Sequence, residues 1–502
     1  MLNKLRNTLK HSIIYSFGNL STKIVGLILL PLYTSELTSA EYGILSLLEV
    51  TSQLLTVIVG LRMATALLRF GAAEKQIDKQ KSIIFISFVM TLVSVVIMNL
   101  LLHPFASNFS NLFFDHNNYS NYFHILFLWS SFEIFNKLFL SYLRIDNRSV
   151  FYIIIVILKV ALVLGLNIYF IAFRHMGVEG VILSQLIGSA LVFLVILPKI
   201  IGSMRFHIDR KLGIEMLRYG VPLIFAGISM LLLTVGDRYL LKYFLSYSEV
   251  GIYSLGYKIA GVINMLLIQS FQLGFMPIAF KMFDQPGAKR FYSKILTYYT
   301  FILILGALAL SFFSREVLLL MADKPEYYVA HAVVPIISLA FILKGMQFVF
   351  SIGMHYAKKM KYNAYIITFS VVFSFGLSII LIPIIGYYGA AISAVLSNLL
   401  LAILFYKYSQ KFYTIPFELK KIGLLFIIGG GIYATSWFTV NLGIVYALVI
   451  KFILLVLFPV LLYVFKFYDV QELRAMKGFV RKWKKTGEWK NNIYKMSGRK
   501  TE

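Results

Sequence analysis

The sequence contains no cysteine, so disulfide frameworks, thiol chemistry and cysteine-ligated zinc are all excluded. Charge is scarce, at 14% of residues, and acids are scarcer still: 22 Asp and Glu stand against 48 Lys and Arg. No GxxxxGK[ST] segment exists, which removes a phosphate-cradling ATPase motif. What is abundant is apolar. Over 502 residues, 59% are hydrophobic and the mean hydropathy is +0.80. Soluble domains are roughly half apolar and about one quarter charged, so this chain cannot bury its side chains in water. A soluble enzyme is excluded.

Apolar stretches of spanning length lie at about 13–33, 41–66, 83–103, 122–143, 150–172, 177–201, 212–236, 249–272, 293–314, 330–352, 361–383, 386–408, 419–440 and 443–466. The first follows Lys4, Arg6 and Lys10 like a signal peptide, but it is too long and has no small-residue cleavage site, so it reads as a retained span. With the N-terminus inside, alternate segments hold 36 of the 48 basic residues, the opposite loops hold 5, and 7 fall within spans. That asymmetry is the positive-inside pattern. It accounts for the net charge of +26 without nucleic acid and predicts fourteen spans with both termini cytoplasmic. The basic tail carries Leu473, Met476, Val480 and Trp483 at helical spacing, which suits an interfacial helix on the anionic leaflet and contact with membrane lipids.

The chain also repeats itself at an offset of about 208 residues. Glu41 to Leu47 (EYGILSL) aligns with Glu249 to Leu255 (EVGIYSL), and Met176 to Ser184 aligns with Ile385 to Ser393. Six spans therefore repeat, and because six is even, the second copy enters the membrane in the same direction as the first. The expected architecture is all-α and polytopic: two six-helix lobes at 1–211 and 212–415 related by an axis along the membrane normal, two additional helices at 416–466, and a basic tail at 467–502. For the matched glycines, Gly43 with Gly251 and Gly177 with Gly386, close helix packing and tight turns outweigh a direct substrate role.

Ionisable residues inside spans point to a pathway, because lipid excludes them. They are Lys23, Arg62, Lys137, Lys159, Lys258, Lys344 and Lys451, with Glu49 and Glu133. Ser12, Ser16, Asn19 and Lys23 form one polar stripe at helical spacing; Glu49, Ser52, Gln53 and Thr56 form another. Ser254, Lys258, Gln269 and Gln272 share a side, as do Lys344, Gln347, Ser351 and His355. Lys23 and Glu49 lie at similar depth and either pair or line a cavity, whereas Glu133 and Lys137 are an i, i+4 pair in the favourable order. Lys258, Lys344, Lys159 and Arg62 are then left without a local acid. A net cationic cavity suits an anionic passenger such as a phosphate or pyrophosphate, and the candidate substrate-binding residues are Lys23, Glu49, Arg62, Lys258 and Lys344. Lys451 suggests a lateral groove. The longest outside loop, about 104–121, carries Asp115 and His116, which read as a solvated turn. No catalytic residue, metal site or cofactor is indicated.

Ser16, Phe17, Gly18 and Asn19, the run Gly26 to Tyr33 and the segment Leu37 to Gly43 together resemble the polysaccharide-transporter or oligosaccharide-lipid flippase branch of the multidrug/oligosaccharidyl-lipid/polysaccharide exporter superfamily. Gly236 to Leu240 (GDRYL) and Ser248 to Ile259 strengthen that resemblance. It implies a twelve-helix, two-lobed V around a central cavity, with two further helices in many members. It also implies export of undecaprenyl-pyrophosphate-linked repeat units across the bacterial cytoplasmic membrane by alternating access, with proton or sodium coupling in some members. Such export serves surface polysaccharides such as the O-antigen of lipopolysaccharide, alongside a polysaccharide polymerase and chain-length machinery. Asp237 and Arg238 match the family motif, as an ion pair at the outer gate or as a substrate contact. The rival expectations are a peptidoglycan-precursor flippase and a cation-coupled small-molecule or drug exporter.

Overall fold

The structure, a computed structural model, describes residues 25–114, 117–146, 148–359, 361–439, 442–469 and 473–474. Lys23, most of the first span, Asp115, His116 and the basic tail beyond 474 lie outside the described residues. Among those described, the chain is helical throughout, with no strand and thirteen helices long and apolar enough to cross a membrane. They run from Ser39–Val59 to Ile444–Val464 and coincide with the second to fourteenth apolar stretches; the shorter Val25–Glu36 helix occupies the end of the first. This is a multi-pass membrane protein.

One boundary differs from expectation. The second span was read to about 66, but its helix ends at Val59, and Leu61 and Arg62 take positive φ (47° and 54°) before a new helix, Met63–Ala73. The kink has a packing cause. Leu61 and Arg62 press against the Arg210–Val235 helix, where a Cβ at Gly220 would lie 2.4 Å from the Leu61 carbonyl oxygen. Two residues in left-handed backbone are tolerated because the neighbouring helix presents glycines there.

The repeat has a direct structural meaning. Ser39–Val59 and Tyr247–Ile263 each begin with a capping box: Thr38 with Glu41, and Ser246 with Glu249. Each pair satisfies the amide groups at its helix start reciprocally. The same two carboxylates face the other repeated motif: a Cβ on Gly177 would be 3.5 Å from Glu41 Oε1, and one on Gly386 would be 3.7 Å from Glu249 Oε1. Both glycines have positive φ, 57° and 61°, so the motif supplies a turn that an L side chain resists. The two sequence matches are thus one local device made twice.

These two helices also form the seam between the halves. Gly43 and Gly251 let them meet backbone to backbone: a Cβ at Gly43 would sit 2.0 Å from the Tyr247 carbonyl oxygen, and one at Gly251 would sit 1.9 Å from that of Ser39. One turn further in, Ser46 and Ser254, equivalent positions of the repeat, share a hydrogen bond of 2.8 Å. Within the first half the Ser120–Ile145 helix packs on Gly177–Ile201; within the second, Tyr387–Phe412 packs on both Val333–Phe350 and Lys361–Ile385. The last two helices lean on Ala288–Met321. There Asp469 bonds both Lys294 (2.5 Å) and Lys421 (2.7 Å), which hold its carboxyl down at about 2.

Candidate functional site

Between the halves lies a cavity of about 550 Å³ with walls from both. Its charged lining consists of Glu49, Glu133, Lys159, Arg238 and Lys258, three cations against two carboxylates. Counting along the helices at 1.5 Å per residue places them in tiers below the end of the bundle that is poor in Lys and Arg. Arg238 is about 9 Å in, Glu49 and Lys258 about 15 Å, and Glu133 and Lys159 about 20 Å.

Lys258 occupies a box of aromatic rings. Its ammonium donates to Tyr42 Oη at 3.4 Å and lies 5.6 and 5.7 Å from the ring centres of Tyr33 and Tyr42. Cation–π attraction holds it there without consuming its charge. Gly26 makes room for the chain, since a Cβ there would lie 3.4 Å from Lys258 Cε. Tyr33 is fixed in turn by Asn167 Oδ1 at 2.9 Å. Glu49 lines the cavity from the Ser39–Val59 helix of the first half, facing the side that carries Lys258, and the described residues record no ion pair within 4.0 Å for either.

Arg238 enters from the short Asp237–Phe244 helix and is buried. It donates from Nε to Ser254 Oγ at 3.0 Å, faces the Tyr257 ring at 4.9 Å, and lies 3.7 Å from Asp237. Asp237 also accepts from Tyr253 Oη. Asp237 and Arg238, neighbours in the chain, pair locally, and Arg238 also lines the cavity. Because Ser254 bonds Ser46, Arg238 is connected directly to the seam.

Several expectations about partners are corrected. Glu133 pairs with Lys159 on the next helix, with Ser189 adding a bond at 3.4 Å, so Lys159 is not the unneutralised cation expected, and the Glu133–Lys137 ion pair is not the one formed. Arg62 lies outside the cavity: its guanidinium covers Gly227, where a Cβ would be 1.6 Å from an Nη atom. Lys344 lines a separate void of about 20 Å³ with Asp237, Gln347 and Asn398, space for about one water. The cavity keeps a positive balance, but Lys258 and Arg238 carry it. Tyr33, Tyr42, Tyr257 and Gln185 also line it, none of them foreseen. With 32 tyrosines in the chain, only the place of Tyr42 inside a repeated motif could have drawn notice.

The basic-poor end is closed by contacts between the halves. Glu326 accepts from the Ser39 amide (2.8 Å) and hydroxyl (2.7 Å), Lys324 donates to the Glu36 carbonyl (3.2 Å), and Tyr327 donates to that of Leu37 (3.1 Å). On the other side of the seam the closure is aromatic: Tyr247 Oη donates to the Phe113 carbonyl (3.1 Å), and Phe113 packs on Tyr239. A second, mostly apolar groove of about 1500 Å³ runs beside the last two helices, and in its wall Lys451 pairs with Glu316 at 2.5 Å. The groove is where Lys451 suggested one; the acid partner was not expected.

Two helical bundles around a charge-bearing cavity closed at one end define the class: an all-α polytopic fold of the kind seen in membrane transporters. A solved structure of "Lipid II flippase MurJ, inward closed conformation" superposes with a TM-score of 0.72 at 14% identity, covering 90% of this chain and 99% of that one. An inward-facing multidrug resistance MATE family transporter of the MOP superfamily gives 0.65 at 15% identity, covering 78% and 94%. A Vibrio cholerae MATE transporter gives 0.59 at 16%, covering 81% and 97%. No curated protein sequence matches the chain. The family signature described as "Polysaccharide biosynthesis protein" matches residues 8–283, just over half the sequence. The chain belongs to that family.

Proposed function

We propose that this protein is a flippase that carries undecaprenyl-pyrophosphate-linked oligosaccharide repeat units across the bacterial cytoplasmic membrane for assembly of a surface polysaccharide such as O-antigen. In this reading the basic-rich face and both termini are cytoplasmic. The observation that carries it is the composition of the cavity between the halves, closed at the basic-poor end. An anion-seeking lysine and arginine sit among tyrosine rings, glutamines and carboxylates, which together match a phosphate-bearing sugar head group. The prenyl tail stays in lipid, with the apolar groove beside the last two helices as its resting place. The halves rock about the seam between Ser39–Val59 and Tyr247–Ile263, driven by a proton or sodium gradient, and the chain acts as a carrier rather than a catalyst. The polymerase and chain-length machinery take up its product.

The likeness to a lipid II flippase favours a peptidoglycan precursor as the second reading. A cationic drug is disfavoured by the positive balance of the lining. Isolation of the lipid-linked saccharide that accumulates when the gene is deleted decides among these. An undecaprenyl-pyrophosphate oligosaccharide on the cytoplasmic face is expected; unchanged surface polysaccharide in a clean deletion refutes the reading.

A further inference from the structure

His103 and His124 meet at the basic-poor end, outside the cavity, joining the end of Ile77–Leu102 to the start of Ser120–Ile145. Their Nδ1 atoms are 2.7 Å apart, their ring centres 5.0 Å apart, and their planes 12° apart. The centre separation equals the N–N distance plus one ring radius at each end, so the two nitrogens point at each other in nearly one plane. A metal on that line would need about 2 Å to each nitrogen and hence about 4 Å between them. The spacing fits a shared proton instead.

The tautomers follow from Asn99. Its Nδ2 donates to the Val95 carbonyl (2.8 Å) and to Ser131 Oγ (2.9 Å), which leaves Oδ1 to accept from His103 Nε2 at 3.0 Å. His103 therefore carries its proton on Nε2, its Nδ1 is the acceptor, and the bridging proton belongs to His124. One further proton can go to His124 Nε2 and leave the bridge intact. The next must go to His103 Nδ1, placing two N–H groups of two imidazolium rings head to head. That state cannot keep the contact.

Few other charges bear on the pair. Over Ile86–Leu102, the Ala106–Phe114 helix and Ser120–Phe132 there is no Asp, Glu, Lys or Arg. Tyr122 is the one other titratable group on these segments, with Tyr119 just before the last of them; Glu179 and Glu41, on the packed Gly177–Ile201 and Ser39–Val59 helices, act electrostatically at Tyr122, Glu133 lies nine residues beyond His124, and Lys242 of the second half stacks on Tyr247. Asp115 and His116 are outside the described residues. The Ala106–Phe114 helix starts three residues after His103 and packs through Phe109 on Phe123 and Phe127, in the turns that flank His124. It ends at Phe113 and Phe114, which contact Tyr247 and Tyr239 across the seam.

We infer that His103 and His124 form a proton-binding site on the outer face, and that double protonation from outside drives the rings apart, moves the Ala106–Phe114 helix and releases the aromatic half of the seal. This rests on the orientation given above; the identity of the substrate does not enter. The lack of native cysteine permits a clean test in the full chain in membranes. Gln53→Cys, within the cavity, is labelled by an impermeant maleimide from outside. Because only the thiolate reacts, labelling is read as a ratio to that of a permanently exposed outer cysteine variant at the same pH, and that ratio should rise about threefold or more as external pH falls from about 7.5 to about 5. His103→Gln and His124→Gln should abolish the rise while labelling at pH 7.5 stays as before. Asn99→Asp, which favours the imidazolium, should move the response up by about one pH unit. A flat external pH profile, or a rise that survives both glutamine variants, overturns the proposal and leaves the transport reading standing. A response seen only in inside-out vesicles overturns it through its orientation.

Discussion

Adding a single methyl group to each glycine of the seam should open the closed end. In the structure a Cβ at Gly43 would lie 2.0 Å from a carbonyl oxygen and one at Gly251 would lie 1.9 Å from another. Ordinary contact needs about 3.4 Å, so the two helices must separate by about 1.4 Å in the state seen here. Overpacking of this kind costs about 1–3 kcal/mol. Because the clash is across the seam, the cost falls on the closed state alone, and 1–3 kcal/mol corresponds to roughly 5- to 150-fold in a two-state ratio. Ser46→Cys with Ser254→Cys provides the assay, since the native hydroxyls are 2.8 Å apart and no other thiol exists. Oxidative cross-linking of that pair should be fast in the parent chain and at least fivefold slower with Gly43→Ala and Gly251→Ala, without loss of folded protein. Unchanged cross-linking kinetics would refute the claim that these glycines set the closure.

Lys258→Gln, which removes the charge without setting a carboxylate against the Tyr33 and Tyr42 rings and Glu49, should abolish export while leaving expression and thermal stability near those of the parent; wild-type flux would show that the charge is dispensable. Lys159→Ala removes the ion-pair partner of Glu133, which still feels Lys137 and opens onto the cavity, and should destabilise by about 1–3 kcal/mol, seen as a lower melting temperature in detergent, with partial recovery in Glu133→Gln, Lys159→Gln. Asp469 is held at about 2 by Lys294 and Lys421. A depressed acid stabilises fully above its unfolded value and loses that contribution only as pH falls through the folded one, so the clamp should be indifferent to pH between 5 and 8. Asp469→Asn should raise proteolytic nicking after residue 464 at every pH in that window, by a modest amount because the site is partly exposed.

Span positions were legible because a 20-residue apolar run has few alternatives, and the repeat was legible because its matched residues do the same local work twice. Glu41 and Glu249 are each tied to a start-of-helix hydroxyl and to a positive-φ glycine. The break at Arg62 was only half legible: Gly60, the C-cap of the Ser39–Val59 helix, is a stop signal, but the left-handed turn at Leu61 and Arg62 is accommodated by Gly220 and Gly227, more than 150 residues away. Charge pairing failed for a similar reason. Helical spacing shows neighbours on one helix, such as Glu133 and Lys137, whereas the partners formed are Glu133 with Lys159 and Lys451 with Glu316, across helices. The intramembrane charges did point at the cavity, and Glu49 and Lys258 meet there. Arg62 and Lys344 do not, because depth and face along one helix leave the rotation against the next undetermined.

The reciprocity at the seam has a history in it. Gly43 meets the residue 204 positions on, Tyr247, while Gly251 meets Ser39, and Ser46 bonds its own counterpart, Ser254. Residue i touching j while the copy of i touches the copy of j is the signature of a two-fold homodimer interface. The contact now made within one chain is what two identical half-length chains would have made before a duplication fused them. Around that reciprocal glycine and serine contact the halves differ, with Lys258 and Arg238 on one side of the cavity and Glu49 on the other.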